Sequence, residues 1–335
     1  MERQILQENN RKKHIAGLDS LRFLAFLMVF LFHSTKVFYF GFLGVDFFFV
    51  LSSFLLTYLA LRELEVNKSF SQKNFFFRRV LRIFPLYFLV LIICLWLLPF
   101  LGNQVGLETQ LPERPWLFWV FLANYENSPY ILPLKFLWSV AVEEQFYLLF
   151  LILSLAFRKH ILGVILGLAV AYLLYFHIDA YFGWQQYKSV FFHLANFSFG
   201  MLGGWLYFKN YQNPAATFIS LFISSVLLYF TAYDHWFFNI ILSAWFVSMI
   251  FFTEFLFRKI PTNPVTALTE YLGKYTYGLY MYSGIVIILI NKLPISDMLL
   301  LAIPIKLVLI FGAAYLSFHW FEKHFLKLKK QFRGE

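Results

Sequence analysis

The sequence predicts an all-α integral membrane protein of about ten transmembrane helices, with both termini in the cytoplasm. Three observations carry this. Of 335 residues, 60% are hydrophobic and only 14% are charged, against about 25% charged in a typical soluble domain. Apolar stretches of spanning length recur from one end of the chain to the other. Lys and Arg gather in alternate connecting segments, which is the positive-inside pattern.

The apolar windows place spans at 17–36, 41–61, 80–101, 137–156, 161–176, 190–208, 214–232, 237–257, 274–291 and 298–320. The fifth is short. With the N-terminus inside, only Lys36, Arg114, Lys135, Lys188 and Lys292 fall outside. Arg22 and Lys306 lie within spans, and the rest of the 28 Lys and Arg lie inside. Such a bias requires an even number of spans. The first apolar run follows a basic segment and lacks a small-residue cleavage site, so it reads as a retained helix and not a cleaved leader. The stretch "RPWLFWVFLANY" at 114–125 is apolar but too short to span, and is either re-entrant or interfacial.

Composition also excludes several functions. The net charge of +10 sits between apolar spans, so it marks topology and contact with membrane lipid, with no nucleic-acid partner. Cys94 is the only cysteine, which rules out a disulfide framework or thiolate metal site within the chain. No histidine pair has metal-ligand spacing on a helix face, so no metal is expected. Basic tails at about 1–14 and 322–335 flank one transmembrane domain, and no soluble domain is expected in this chain.

An ionisable group at membrane depth is costly, and that makes each one a functional candidate. In the first span, Arg22 and His33 are 11 residues apart. That is about three helical turns plus 20°, so both share a face, roughly 16 Å apart along the axis. They can line one tunnel at two depths but cannot touch. The alternative is that Arg22 snorkels to headgroups and His33 makes a packing hydrogen bond. Asp19 is too far from His33 to serve it and reads as a helix cap or a partner of Arg22. Asp46, at the start of the second span, falls near the depth of His33. It either orients the imidazole, as a triad carboxylate does, or caps its own helix.

Further along, "RRVLRIFPLYF" gathers Arg78, Arg79 and Arg82 at the cytoplasmic mouth of the third span, with Tyr87 beyond them. Guanidinium groups suit bidentate phosphate recognition, although an anchor to anionic lipid has the same composition. In "LWSVAVEEQFYLLF" the group Trp138, Ser139, Glu143, Glu144 and Gln145 lies one turn into the fourth span. Adjacent residues point about 100° apart, so one glutamate at most faces a tunnel squarely. In "LGKYTYGLYMY", Tyr277 and Tyr280 share a face of the ninth span, within a run that also fits an interfacial tyrosine belt.

Six stretches in order resemble the membrane acyltransferase-3 family, whose members acetylate sugars of bacterial surface polymers. They are "GLDSLRFLAFLMVFLFH", "GFLGVDFFFVLSSFLL", "RRVLRIFPLYFL", "LWSVAVEEQFYLLF", "LGKYTYGLYMY" and "SFHWFEKHFLKL", and they run from about residue 17 to 330. The resemblance implies ten spans, both termini cytoplasmic, and residence in the bacterial cytoplasmic (inner) membrane. It also implies acetyl-CoA, or another acyl-CoA, as the donor, and a lipid-linked or polymeric sugar as acceptor. On it, His33 is the essential histidine, Arg22 its paired arginine, and Arg78, Arg79 and Arg82 the basic motif. Glu143, Glu144 and Gln145 form the Glu-Glu-Gln motif, and Glu322 is an acidic residue after the last span. The chain departs from the pattern at Ser53, where Gly is usual, and at Thr276, where Ser is usual. Ser283 stands where many members carry a second His, and His193 stands near a position often held by Arg.

The expected chemistry is acyl transfer to a sugar hydroxyl. His33 would act as general base with Asp46 or Glu143 orienting it, and the arginines would hold the donor. The rival readings are a transporter or channel using the same intramembrane charges, and a non-catalytic sensing module.

Overall fold

The computed structural model describes residues 15–35, 37–104, 109–182, 187–232, 235–260 and 263–332. The basic tail before residue 15, Lys36 and the last three residues lie outside them. Among the described residues there are helices and no strands. Eleven long helices appear in order: α1 (Leu18–Ser34), α2 (Leu43–Asn67), α3 (Gln72–Ile92), α4 (Leu137–Leu153), α5 (Phe157–Phe182) and α6 (Leu194–Phe208). Then follow α7 (Pro214–Phe230), α8 (Phe238–Lys259), α9 (Pro264–Gly273), α10 (Thr276–Ile290) and α11 (Leu299–Ser317).

Each of the ten expected apolar segments is helical. Among the described residues, six helical stretches are long and apolar enough to cross a membrane by length and composition: Tyr39–Asn67, Gln72–Gly102, Leu132–Ala156, Lys159–Ile178, Phe238–Lys259 and Leu299–Leu328. The fifth segment, expected to be short, is one long helix with a break at His160. Helix α9 has no counterpart in the sequence expectation. Asn263 caps it through the Val265 and Thr266 amides, Thr266 returns the capping box, and Pro264 sits at its first position. This is a strong start signal.

Small residues set the closest approaches. Along α6, Gly200 and Gly204 lie four apart and face α2. A Cβ on Gly200 would stand 1.9 Å from Ser53 Oγ and 2.5 Å from the Val50 carbonyl; one on Gly204 would stand 2.4 Å from the Phe54 carbonyl. Backbones can meet this closely only through glycine. Helix α9 docks on the start of α1 in the same way. A Cβ on Gly273 would meet the Asp19 carbonyl at 2.0 Å, the Gly17 amide donates to Glu270 Oε1 at 3.0 Å, and Ser20 and Thr269 share a 2.8 Å hydrogen bond. Gly17 takes φ +78°, a left-handed conformation that glycine adopts without a Cβ clash. The turn of α1 that carries Asp19 and Arg22 is thereby fixed from outside the helix.

The segment 109–136 closes the other end of the bundle. Phe118 is fully buried, and its carbonyl accepts from Tyr87 Oη at 2.8 Å. Phe121 takes φ +56°, uncommon for a bulky residue. Its carbonyl accepts from Gln145 Nε2 at 2.9 Å, and its ring packs on Phe84 and Tyr87.

Candidate active site

Three cavities follow one another through the bundle and share walls. At the arginine-rich end lies a vestibule of about 1010 Å³, bounded by Asp19, Arg22, Arg82, Lys274, Glu322 and Lys329 among others. Arg22, Arg82, Gly273, Lys274 and Tyr277 also bound a central cavity of about 870 Å³. The central cavity adds Arg79, Ser52, Ser139, Glu143, Tyr147 and Tyr280. Val45 and Tyr280 then form the wall it shares with an outer cavity of about 630 Å³, which holds His33. Arg22 thus bounds the first two cavities and His33 the third.

The vestibule is built by the start of α1, the middle of α3, the α9–α10 junction and the end of α11. Arg22 pairs with Asp19 at 2.8 Å. Arg79 places its guanidinium over the rings of Phe75 and Tyr147, an aromatic seat that holds a cation while leaving its donors available. Glu322 lies in a π-helical turn, Phe318–Glu322, that ends α11. Such turns displace side chains from regular helical positions, and Ser317 Oγ donates to Glu322 Oε1 at 3.1 Å.

In the central cavity Glu143 accepts short hydrogen bonds from Ser52 and Tyr147. Tyr277 Oη donates to the Ile83 carbonyl at 2.8 Å. Tyr280 Oη donates to the Phe136 carbonyl at 3.2 Å and shares a 2.6 Å hydrogen bond with Ser139 Oγ. Glu144 turns away from the cavity, buried, with Oε1 lacking a hydrogen-bond partner among the described residues.

The outer cavity contains His33, Trp138, Tyr187, Lys135 and Lys188. Rings position the imidazole: Phe136 lies 4.6 Å away, centroid to centroid, and Phe32 lies edge-on at 4.9 Å. Among the described residues no hydrogen bond to His33 is formed.

Several expectations need correction. Asp46 does not orient His33. On the α2 face packed against α6, it accepts from Asn196 Nδ2 at 2.6 Å, Tyr187 Oη at 2.8 Å and His193 Nδ1 at 3.1 Å. Nor does Asp46 cap α2, whose N-cap has no side-chain hydrogen bond. Glu143 lies in the central cavity, one chamber away from His33. His193 Nε2 also meets an acceptor, the Tyr187 carbonyl, at 2.7 Å. Asp46 and His193 form a buried pair, and Asn196 Nδ2 also lies 3.3 Å from His193 Nδ1. That pair ties α2, α6 and Tyr187 together behind the outer cavity.

Arg78 and Tyr87 are absent from all three cavity walls. Arg78 donates to Glu63 and to the Phe332 carbonyl, both at 2.9 Å, and so tethers the chain end to α2. Tyr87 is fully buried on the Phe118 carbonyl. Gln145 holds Phe121 and accepts no place in the cavities, donating also to Asn124 Oδ1 at 2.7 Å. Ser283 is buried and bonds within its own helix to the Tyr280 carbonyl at 2.7 Å. Sequence reasoning missed Ser52, Lys274, Lys135, Lys188 and Tyr187. Ser52 had only its place beside Ser53 to mark it, and the lysines read as topology signals.

Among the described residues, no group of three or more His, Cys, Asp or Glu is placed to hold a metal ion. A family model described as an acyltransferase domain matches residues 15–319. A Staphylococcus aureus (strain COL) protein named "Putative O-acetyltransferase" is 29% identical over 95% of this chain and 58% of its own length. "Peptidoglycan O-acetyltransferase OatA" of Listeria monocytogenes is 33% identical over 48% of this chain and 28% of its own length. "O-acetyltransferase OatA" of Staphylococcus aureus is 33% identical over 43% and 25%. The chain therefore spans little more than half the length of the first of these relatives. No solved structure matches it.

Proposed function

Since the chain belongs to the acyltransferase-3 family, we propose that it is a membrane O-acyltransferase moving an acyl group, acetyl foremost, from acyl-CoA to a sugar hydroxyl. The acceptor would be a cell-surface or lipid-linked glycan, and the host membrane the bacterial cytoplasmic (inner) membrane. All ten apolar helices would cross it, with the arginine-rich end and both termini facing the cytoplasm.

The observation that supports this reading is the succession of three cavities from Arg82 to His33, each sharing lining residues with the next. Phosphates of the donor would sit in the vestibule among Arg22, Arg82 and Lys274, with Arg79 just beyond in the central cavity, where guanidinium forks make strong charge-assisted bonds. The thin arm would run past Ser139, Glu143 and Tyr277 and through the Val45–Tyr280 throat. The thioester would then reach His33. Such a succession of chambers suits a donor whose charged head and reactive end are far apart.

At the outer cavity, His33 would remove the proton from the acceptor hydroxyl. The oxygen attacks the thioester carbonyl, the C–S bond breaks, and the imidazolium returns its proton to the leaving thiolate. An acyl-histidine relay uses the same residues with His33 as nucleophile, and a burst of one acyl group per protein would distinguish it. Trp138 and Tyr187 would give the sugar ring flat faces to rest on.

The test is purified protein in sealed proteoliposomes with radiolabelled acetyl-CoA and a glycan acceptor. Transfer of label to a hydroxyl, with release of free CoA in equal amount, is the expected result. Passage of label across the bilayer without transfer would instead identify a transporter.

A further inference from the structure

We propose that Lys135 and Lys188 form an anion-recognition site in the His33 cavity, so that the acceptor is a glycan unit carrying a carboxylate or phosphate beside the hydroxyl acylated. This rests on the acyltransferase reading above and narrows its acceptor. The two lysines come from distant parts of the chain. Lys135 ends the short turn Leu132–Lys135 before α4, and Lys188 lies in the segment leading into α6. Both bound the cavity that holds His33.

Neither ammonium has an ion-pair partner among the described residues. The nearby carboxylate is already committed: Glu126 accepts from the Arg114 and Ser128 amides at 2.9 Å each and lies 3.6 Å from Arg114 Nη2. Burial, and then the charge of Lys135, depress the Lys188 ammonium, with Glu126 opposing. The two cations therefore feel each other without being neutralised. Lys188 is half-buried with its ammonium 5.9 Å from the centre of the Tyr130 ring. Keeping an unbalanced charge there is unfavourable, and an anion in the cavity removes that cost.

The rest of the wall points the same way. Among the described residues, no Asp, Glu, Asn or Gln side chain bounds this cavity. Carboxylate and amide oxygens are the strong side-chain acceptors for the hydroxyls of a neutral glycan. Here the charged groups are cationic donors, set beside the apolar faces of Phe42, Trp138 and Tyr187. Anchorage of both lysines to lipid headgroups is the competing account, and it would leave acceptor choice unaffected.

The experiment compares three acceptor glycosides of one length: a sugar acid, its neutral methyl ester, and a glycosyl phosphate. Labelled acetyl-CoA is the donor. Wild-type protein is expected to favour an anionic acceptor over the ester by about tenfold or more in kcat/KM, the scale of one charge-assisted hydrogen bond. Lys135→Gln with Lys188→Gln should erase that preference through KM, and Lys→Arg at both sites should keep it. The better of the two anions identifies carboxylate or phosphate as the source. Equal use of all three by wild type, or a preference surviving in the double Gln variant, overturns the anion site and leaves acyl transfer standing. Transfer to none of the three, with no CoA released, defeats the acyltransferase reading itself.

Discussion

Replacing Val45 by Phe tests the throat between the central and outer cavities. Val45 is 5% exposed and bounds both chambers, opposite Tyr280. The added ring has open space on either side, so the folding cost should fall at the low end of the ~1–3 kcal/mol typical of overpacking. Its effect on chemistry should be larger. If the thioester stops about 1 Å short of its reactive position, roughly 100-fold in rate is lost. Val45→Ala supplies the control. It widens the throat, costs about 1.6 kcal/mol of stability for two lost methyl groups, and should transfer at near wild-type rate. The assay pairs equilibrium CoA binding with steady-state acetyl transfer. Val45→Phe is expected to bind CoA within about twofold of wild type, since Arg22, Arg79 and Arg82 are untouched, and to lose about 100-fold in transfer. Transfer at the wild-type rate by a folded Val45→Phe protein would show that the acyl group does not travel through this throat.

Other consequences follow from the same geometry. Glu143→Gln weakens two hydrogen bonds to a charged acceptor, from Ser52 and Tyr147, each worth about 1.5–3 kcal/mol; it should lower thermal stability and slow transfer while CoA affinity holds, and a loss of CoA affinity alone would place Glu143 in the donor site. Gly200→Val should cost at least the upper end of the ~1–3 kcal/mol overpacking range, because its Cβ would lie 2.5 Å from the Val50 backbone oxygen; an unchanged melting temperature would contradict the α2–α6 packing. Outside the spans, burial pushes the Glu126 carboxyl up, but the Ser128 and Arg114 hydrogen bonds and the Arg114 charge outweigh it and hold it below its ordinary value of 4.5. A depressed carboxyl contributes stability above its unfolded pKa and loses it as pH falls through the folded one. Acid unfolding below about pH 4.5 should therefore be shallower in Glu126→Gln, and an identical acid limb would refute that linkage.

The helices were legible because apolar runs of spanning length leave few alternatives. So was the shared face of Arg22 and His33, since both belong to one helix whose period fixes their relation. Relations between helices were not. Asp46 sits on α2, whose close fit on Gly200 and Gly204 of α6 leaves the carboxylate on His193 and Asn196. The arginine motif had the same limit: composition cannot separate Arg78, bound to Glu63 and the Phe332 carbonyl, from Arg79 and Arg82, which bound the cavities. The α9 start was readable in "TNPVT", where Asn precedes Pro at a helix entrance. Lys135 and Lys188 were seen only as topology markers because nothing in the sequence brings residues 135 and 188 beside residue 33.

Donor binding at Arg82 and acyl transfer at His33 are proposed to occupy opposite ends of the three cavities. Purified His33→Ala and Arg82→Gln proteins, each assayed for equilibrium CoA binding and for transfer from labelled acetyl-CoA, test this most directly. The account predicts that His33→Ala binds CoA as wild type does and transfers no acetyl, whereas Arg82→Gln loses CoA affinity by about tenfold or more. Transfer by His33→Ala at the wild-type rate would contradict it.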